Sequence, residues 1–268
     1  LREDDLIELT TVSAAPDDSF ASRWAEAVAQ NTYDMIYFSH VHFNSGYVFA
    51  DFQKSLTDVS PETIVVMDGY HGFMAVPTDL SAVHDRLFYT AGGYKYAMGG
   101  EGVCFLHAPA GQAQRPRLTG WLAEMDSLAA AKDNSVTYAQ DGSRFMGATF
   151  SPVGRYRPRA VLAWLKSPGV SVRDIHSHVA MLQNRFVENM GPRAKSMLAG
   201  REILSGMAAA DHAHFIAYNL KQAGEIREKL LANNIVVDSR GDTLRFGFGI
   251  YHEPEDIARL MDRLEKIL

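Results

Sequence analysis

Two kinds of apolar pattern alternate along the first part of the chain. Short continuous runs of β-branched, aliphatic and aromatic residues occupy positions 6–12, 35–41, 63–67, 87–91 and 103–107. Between the first two, positions 17–30 carry Phe20, Trp24 and Val28 at helical spacing. Runs that are apolar on successive residues suit strands buried on both faces, so this part predicts a parallel α/β sheet.

The second part reads differently. Ser171 with Asp174 three residues on is a capping-box pattern, and Ile175, Val179, Leu182 and Phe186 then mark one face of a helix. A strand at 214–219, a helix at 223–233 and strands at 235–238 and 244–248 follow. The last helix opens near Pro254 and carries Ile257, Leu260, Met261, Leu264 and Ile267 as its apolar stripe. This predicts a small α+β unit after the α/β unit, with residues 1–160 in one domain and 161–268 in the other.

Composition narrows the function classes. The 268 residues are 47% hydrophobic and 22% charged, ordinary values for a globular chain. A formal charge of -6 argues against nucleic acid or an anionic membrane as the main partner. No apolar run approaches the roughly 20 residues that span a bilayer. The single cysteine, Cys104, excludes an intramolecular disulfide and fits a reducing cytoplasm. The opening Leu1-Arg2-Glu3-Asp4-Asp5 reads as the middle of a domain, so the chain is expected to be the carboxy-terminal portion of a longer protein.

Candidate chemistry gathers where the predicted strands end, which is where open α/β sheets place their ligands. Asp68-Gly69-Tyr70-His71 follows one run, Gly92-Gly93-Tyr94-Lys95-Tyr96 another, and a stretch from Ser39 to Gly46 a third. A lysine beside glycines at a strand end can form a Schiff base with an aldehyde cofactor. A nearby carboxylate can hold a pyridine nitrogen protonated, the pair that pyridoxal phosphate chemistry needs. The same residues also read as a surface lysine in a glycine-rich turn and a helix-capping aspartate.

The ordered run Asp68-Gly69-Tyr70-His71, Tyr94-Lys95 and Gly120-Trp121 resembles the class V aminotransferase family of fold-type I pyridoxal-phosphate enzymes, with kynureninases as the nearest branch. The resemblance extends from about Asp34 to the carboxy terminus. It implies a mostly parallel sheet forming an incomplete large cofactor-binding domain, followed by a small α+β domain. It further implies Lys95 as the Schiff-base lysine, Asp68 as the partner of the pyridine nitrogen and His71 beside the ring oxygen. Ser39 and Tyr94 would contact the cofactor, with Tyr94 reaching its phosphate. Trp121 and Thr149 would contact the cofactor across a homodimer. Arg245, in Leu244-Arg245-Phe246-Gly247-Phe248, would bind the α-carboxylate of a small amino-acid substrate, a task suited to a bidentate guanidinium. Transamination is the expected reaction, with side-chain carbon–carbon cleavage as the alternative. In the family, the loop that cradles the phosphate and the aromatic stacking on the ring lie upstream of the position matching Leu1.

Departures from the family pattern bear on specificity. Where kynureninases carry an aromatic, a glycine and a histidine after the tryptophan, this chain has Leu122-Ala123-Glu124. Met146 replaces a glutamate, and Gly147-Ala148 replaces the usual pair before Thr149. Glu124 hints at a more polar substrate than kynurenine.

Three rival readings are weighed. The pairs His40/His42, His176/His178 and His212/His214 invite a metal site. On a helix, however, a spacing of two puts side chains about 200° apart, and His40/His42 lacks matching downstream ligands. Solvated or core-satisfied histidines are the better reading, and no metal is expected. A cysteine desulfurase would need its thiol on a mobile loop, whereas Cys104 falls in a run predicted to be buried and inert. A degenerate scaffold is disfavoured by the joint presence of Lys95, Asp68, His71 and Arg245.

Overall fold

The computed structural model describes residues 1–30, 32–111, 114–130, 134–198 and 212–268. Its first sheet has the order β1-β2-β3-β4, built from β1 Met35–Ser39, β2 Ile64–Asp68, β3 Leu87–Gly92 and β4 Cys104–His107. The first three strands are parallel and β4 runs antiparallel to β3. Ile36, Phe38, Val65, Met67 and Leu87 turn inward. They meet Phe20 and Trp24 of helix α1 (Phe20–Gln30) and Phe52 of the short helix α2 (Phe52–Ser55), where burial of aromatic area supplies the driving force. Met35 and Tyr37, one residue out of phase on β1, are exposed, as strand alternation requires.

Helix α3 (Val153–Lys166) leads into helix α4 (Val172–Glu188). The predicted capping box is present: the Asp174 N–H donates to Ser171 Oγ at 3.2 Å, and the Ser171 N–H donates to Asp174 Oδ2 at 2.9 Å. Helix α5 (Pro192–Leu198) follows, then strand β5 (Phe215–Asn219), helix α6 (Ala223–Leu231), β6 (Asp238–Arg240), β7 (Thr243–Gly247) and helix α7 (Pro254–Ile267). These strands form a second, antiparallel sheet in the order β5-β7-β6. Val179, Leu182 and Phe186 of α4 pack with Leu244, Phe246, Ile257 and Leu264 in one buried cluster. Gly241, at φ +52°, lets β6 turn into β7 through a two-residue connection, which fixes Asp238 opposite Arg245.

Two expectations are corrected. Residues 6–12 form no strand; Leu6, Ile7 and Leu9 are exposed and pair with no neighbouring strand. The apolar run at 103–107 is an antiparallel edge strand with all four residues of β4 exposed, so Cys104 is accessible and the burial argument against a reactive thiol falls. Helix α3 forms over residues that the sequence pattern assigns to no element, with Pro158 within it. No helix among the described residues is long and apolar enough to cross a membrane.

Candidate active site

The carboxyl ends of β1, β2 and β3 lie side by side, with Ser39 in register with Asp68 and Asp68 with Thr90. The chain beyond β2 turns sharply because the Tyr70 N–H donates to Asp68 Oδ1 at 2.9 Å and the Gly69 N–H donates to the Thr90 carbonyl at 2.8 Å. A Cβ at position 69 would overlap the Tyr89 ring, so only glycine fits this turn. That turn carries His71 toward the loop that follows β3. There the Gly93 N–H donates to the Val103 carbonyl at 2.7 Å and the Met98 N–H to the Lys95 carbonyl at 2.9 Å, projecting Lys95 from the sheet end.

Lys95 Nζ stands 2.9 Å from His71 Nε2 and 5.7 Å from the centre of the Tyr70 ring. Burial lowers the Lys95 amine below its ordinary value; the Asp68 charge opposes this, and the Arg245 guanidinium adds to it. His71 packs edge-on against Phe43 and Phe215, with ring centres 5.4 and 6.0 Å away. Its pKa falls to about 4, mainly through burial and then through the nearby Lys95 and Arg245 charges. A neutral imidazole accepts the lysine N–H at neutral pH.

Asp68 is held from two sides, since the Tyr37 hydroxyl donates to its Oδ2 at 2.9 Å. Burial and this carboxylate push the Tyr37 pKa up to about 12, so the phenol remains a donor. Sequence reading overlooked Tyr37, although it lies two residues before Ser39 and so shares its face of β1.

Arg245 projects from β7 across an open cavity of about 820 Å³ that also presents Lys95, His71, Tyr96, His214 and Tyr251. Its Nη1 donates to the Phe43 carbonyl at 2.7 Å, and its guanidinium lies 3.9 Å from the centre of the Phe43 ring. The loop after β3 and strand β7 therefore bring Lys95 and Arg245 to the same cavity.

The remaining expected residues group differently. Ser39 ends β1 beside Asp68, and the Tyr94 ring sits 6.0 Å from Tyr70, but neither lines the cavity. Trp121 and Thr149 come together elsewhere: Trp121 Nε1 donates to Thr149 Oγ1 at 3.2 Å, and both are exposed. The Glu124 carboxylate accepts the Thr137 N–H at 2.9 Å, so it has a local backbone partner. The neighbouring Cys104 thiol, and then burial, raise the Tyr70 phenol to about 12.

His176 and His178 have different partners. His176 Nδ1 lies 3.3 Å from His214 Nε2, whereas the His178 ring contacts the His252 carbonyl. Among the described residues no group of three or more His, Cys, Asp or Glu side chains is placed to hold a metal ion.

Burial depresses His40 and His71 to about 4 and His214 to about 3, against about 6.5 in an unfolded chain. The unfolded chain therefore binds more protons throughout that interval. The stability contribution of these groups is complete above about pH 6.5 and is lost as pH falls through the folded values. Urea midpoints measured at pH 7.5 and 5.0 should show clearly lower stability at the acidic pH; equal midpoints would contradict three buried neutral imidazoles.

Neither comparison with family models nor comparison with curated protein sequences gives a match. Solved structures do match. The apo cysteine desulfurase of Thermococcus onnurineus NA1 superposes with a TM-score of 0.73 at 17% identity, over 91% of this chain and 62% of that one. The cystine C–S lyase C-DES, in complex with its product cysteine persulfide, gives 0.72 at 19% identity, over 92% and 64%. A lysine-to-alanine variant of C-DES with glycine covalently linked to its pyridoxal phosphate gives 0.71 at 18% identity, over 92% and 64%. The chain thus spans somewhat under two thirds of the length of these proteins. With its mostly parallel sheet and second, antiparallel sheet, it has the fold of class V, fold-type I pyridoxal-phosphate-dependent enzymes.

Proposed function

We propose that this chain carries the lysine site of a pyridoxal-phosphate-dependent enzyme acting on an amino acid. The observation that carries the reading is the meeting of Lys95, His71 and Arg245 around one cavity, with Asp68 fixed at the adjoining strand end. This donor set suits the group: a partly desolvated amine for the aldehyde, a carboxylate for the ring nitrogen and an imidazole for the ring oxygen. When bound, the cofactor supplies a cationic ring that takes up the electron pair released at the substrate α-carbon.

The chain's own residues divide the remaining work. Arg245 anchors the substrate carboxylate and so fixes which α-carbon bond faces Lys95. Lys95 Nζ takes the α-proton, a role favoured by its lowered proton affinity. The Tyr37 and Tyr70 donors orient Asp68, while the Phe43 and Phe215 rings fix the plane of His71. Ser39 and Tyr94 are further cofactor contacts from the same protomer. Trp121 and Thr149, paired with each other, exposed and outside the lining of the cavity, are contacts offered to the partner site of a homodimer. The division at residue 160 belongs to this reading too, as does a cytoplasmic location.

The fate of the side chain separates the alternatives. Transamination is the reading drawn from sequence, and kynureninase-like carbon–carbon cleavage its alternative. Carbon–sulfur cleavage is favoured over both by the C-DES and cysteine desulfurase folds that the chain superposes on. A lyase of the C-DES kind suits a cavity that Cys104 does not line, because the proton held at Lys95 can pass to the departing sulfur.

Incubating the protein and pyridoxal phosphate with L-cystine, L-cysteine or L-kynurenine, with and without a 2-oxo acid, distinguishes these outcomes. The expected result is release of sulfide or persulfide without an acceptor. Turnover that requires the 2-oxo acid would establish transamination instead, and anthranilate release would establish the kynureninase reaction.

A further inference from the structure

An end-on grip on a carboxylate uses both Nη atoms of a guanidinium, and a side-on grip uses Nε and one of them. Both Nη atoms of Arg245 are engaged within the chain. Nη1 donates to the Phe43 carbonyl, and Nη2 pairs with Asp238 Oδ2. The partner is set by the fold, because Asp238 stands directly opposite Arg245 in the β6–β7 register.

Asp238 has a second cation within reach. The same Oδ2 lies 3.5 Å from Arg240 Nε, two residues along β6 and therefore on the same face. Exposure rises stepwise across the three side chains: 10% for Arg245, 40% for Asp238 and 62% for Arg240. The carboxylate thus stands between a nearly buried guanidinium that lines the cavity and an outer one in solvent. The Phe43 ring spans both, 3.9 Å from the Arg245 guanidinium and 5.9 Å from that of Arg240.

We propose that Asp238 is an exchangeable stand-in for the substrate carboxylate, displaced from Arg245 onto Arg240 when the substrate binds. The inference rests on reading Arg245 as the carboxylate anchor. A nearly buried guanidinium deprived of its counter-ion is costly, and exchanging one carboxylate for another keeps it paired throughout. The exchange lowers affinity by the strength of the resident pair. It also selects for ligands that engage Arg245 through a full carboxylate, since a neutral amide cannot replace the charge it displaces. Asp238 is therefore a residue that sets specificity, without touching the reacting atoms.

The test is an NMR titration of the protein, with no pyridoxal phosphate added, using L-alanine and L-alaninamide, which keeps the α-ammonium but carries a neutral amide in place of the carboxylate. Wild type is compared with Asp238→Asn, Arg240→Gln and Arg245→Gln. Asp238→Asn should bind L-alanine about fivefold more tightly, the factor that loss of a partly exposed ion pair of about 1 kcal/mol provides. Arg240→Gln removes the alternative partner and should weaken L-alanine binding about two- to threefold by the same reasoning. Neither variant should change L-alaninamide binding. Weaker or unchanged L-alanine binding by Asp238→Asn, with binding lost in Arg245→Gln, would overturn the exchange and leave the anchor standing. Equal binding by Arg245→Gln, or no binding by any of the proteins, would remove anchor and exchange together.

Discussion

Lys95→Ala should leave the fold intact and lower amino-acid turnover by about 10³-fold or more, the scale of losing both the covalent anchor and the base. The fold should survive because Lys95 contributes its long side chain to the cavity wall, while the loop is held by backbone bonds of Gly93, Met98 and Gly99. Removing Nζ also removes the partner of His71 Nε2. The imidazole remains boxed by Phe43 and Phe215, so it should keep its place. A small amine added to the solution should restore part of the lost rate, because the cavity vacated by the side chain is open to solvent. Loss of rate without rescue, accompanied by a changed circular dichroism spectrum, would point to damage to the fold. An unchanged rate would dismiss Lys95 from the chemistry altogether.

The second large effect is expected at Asp68. Its two oxygens accept from Tyr37 and from the Tyr70 backbone, so Asp68→Asn nearly preserves shape while removing the charge and reversing one hydrogen-bonding role. Turnover should fall about 10²- to 10³-fold, comparable to removing a preorganised electrostatic contact in other active sites. The substitution should also raise the amount of pyridoxal phosphate needed for half-saturation. Tyr37→Phe is a milder probe of the same contact. It deletes one donor to Asp68 and leaves the charge, so its effect should be about tenfold, near the strength of one hydrogen bond to a charged group. If Asp68→Asn and Tyr37→Phe had equal effects, orientation rather than charge would be the contribution of the carboxylate.

Several of these groups are legible in the sequence. Asp68 and Lys95 follow apolar runs whose ends must lie together in a parallel sheet, and the register of β1, β2 and β3 brings those ends side by side. The Ser171 cap and the stripe from Ile175 to Phe186 formed as written, since both depend only on residues within one helix.

What was not legible depends on distant partners. A continuous apolar run has no period to show whether its faces are covered, so the run at Cys104 read as buried although β4 sits at the sheet edge. Helix α3 was hidden by Pro158 and by arginines scattered among its apolar positions. The contact of Arg245 with the Phe43 carbonyl joins residues 202 positions apart. Its pairing with Asp238 depends on the one register that the turn at Gly241 selects, and a one-residue slip would place the two on opposite faces.

The central claim is that Lys95 is the residue through which this chain engages pyridoxal phosphate. The most direct measurement is an absorbance spectrum of the protein with pyridoxal phosphate, before and after borohydride, followed by peptide mapping. The account predicts a visible band that borohydride abolishes, with the cofactor's mass left on the peptide containing Lys95. A band trapped on a different lysine, or no trapped cofactor, would contradict it.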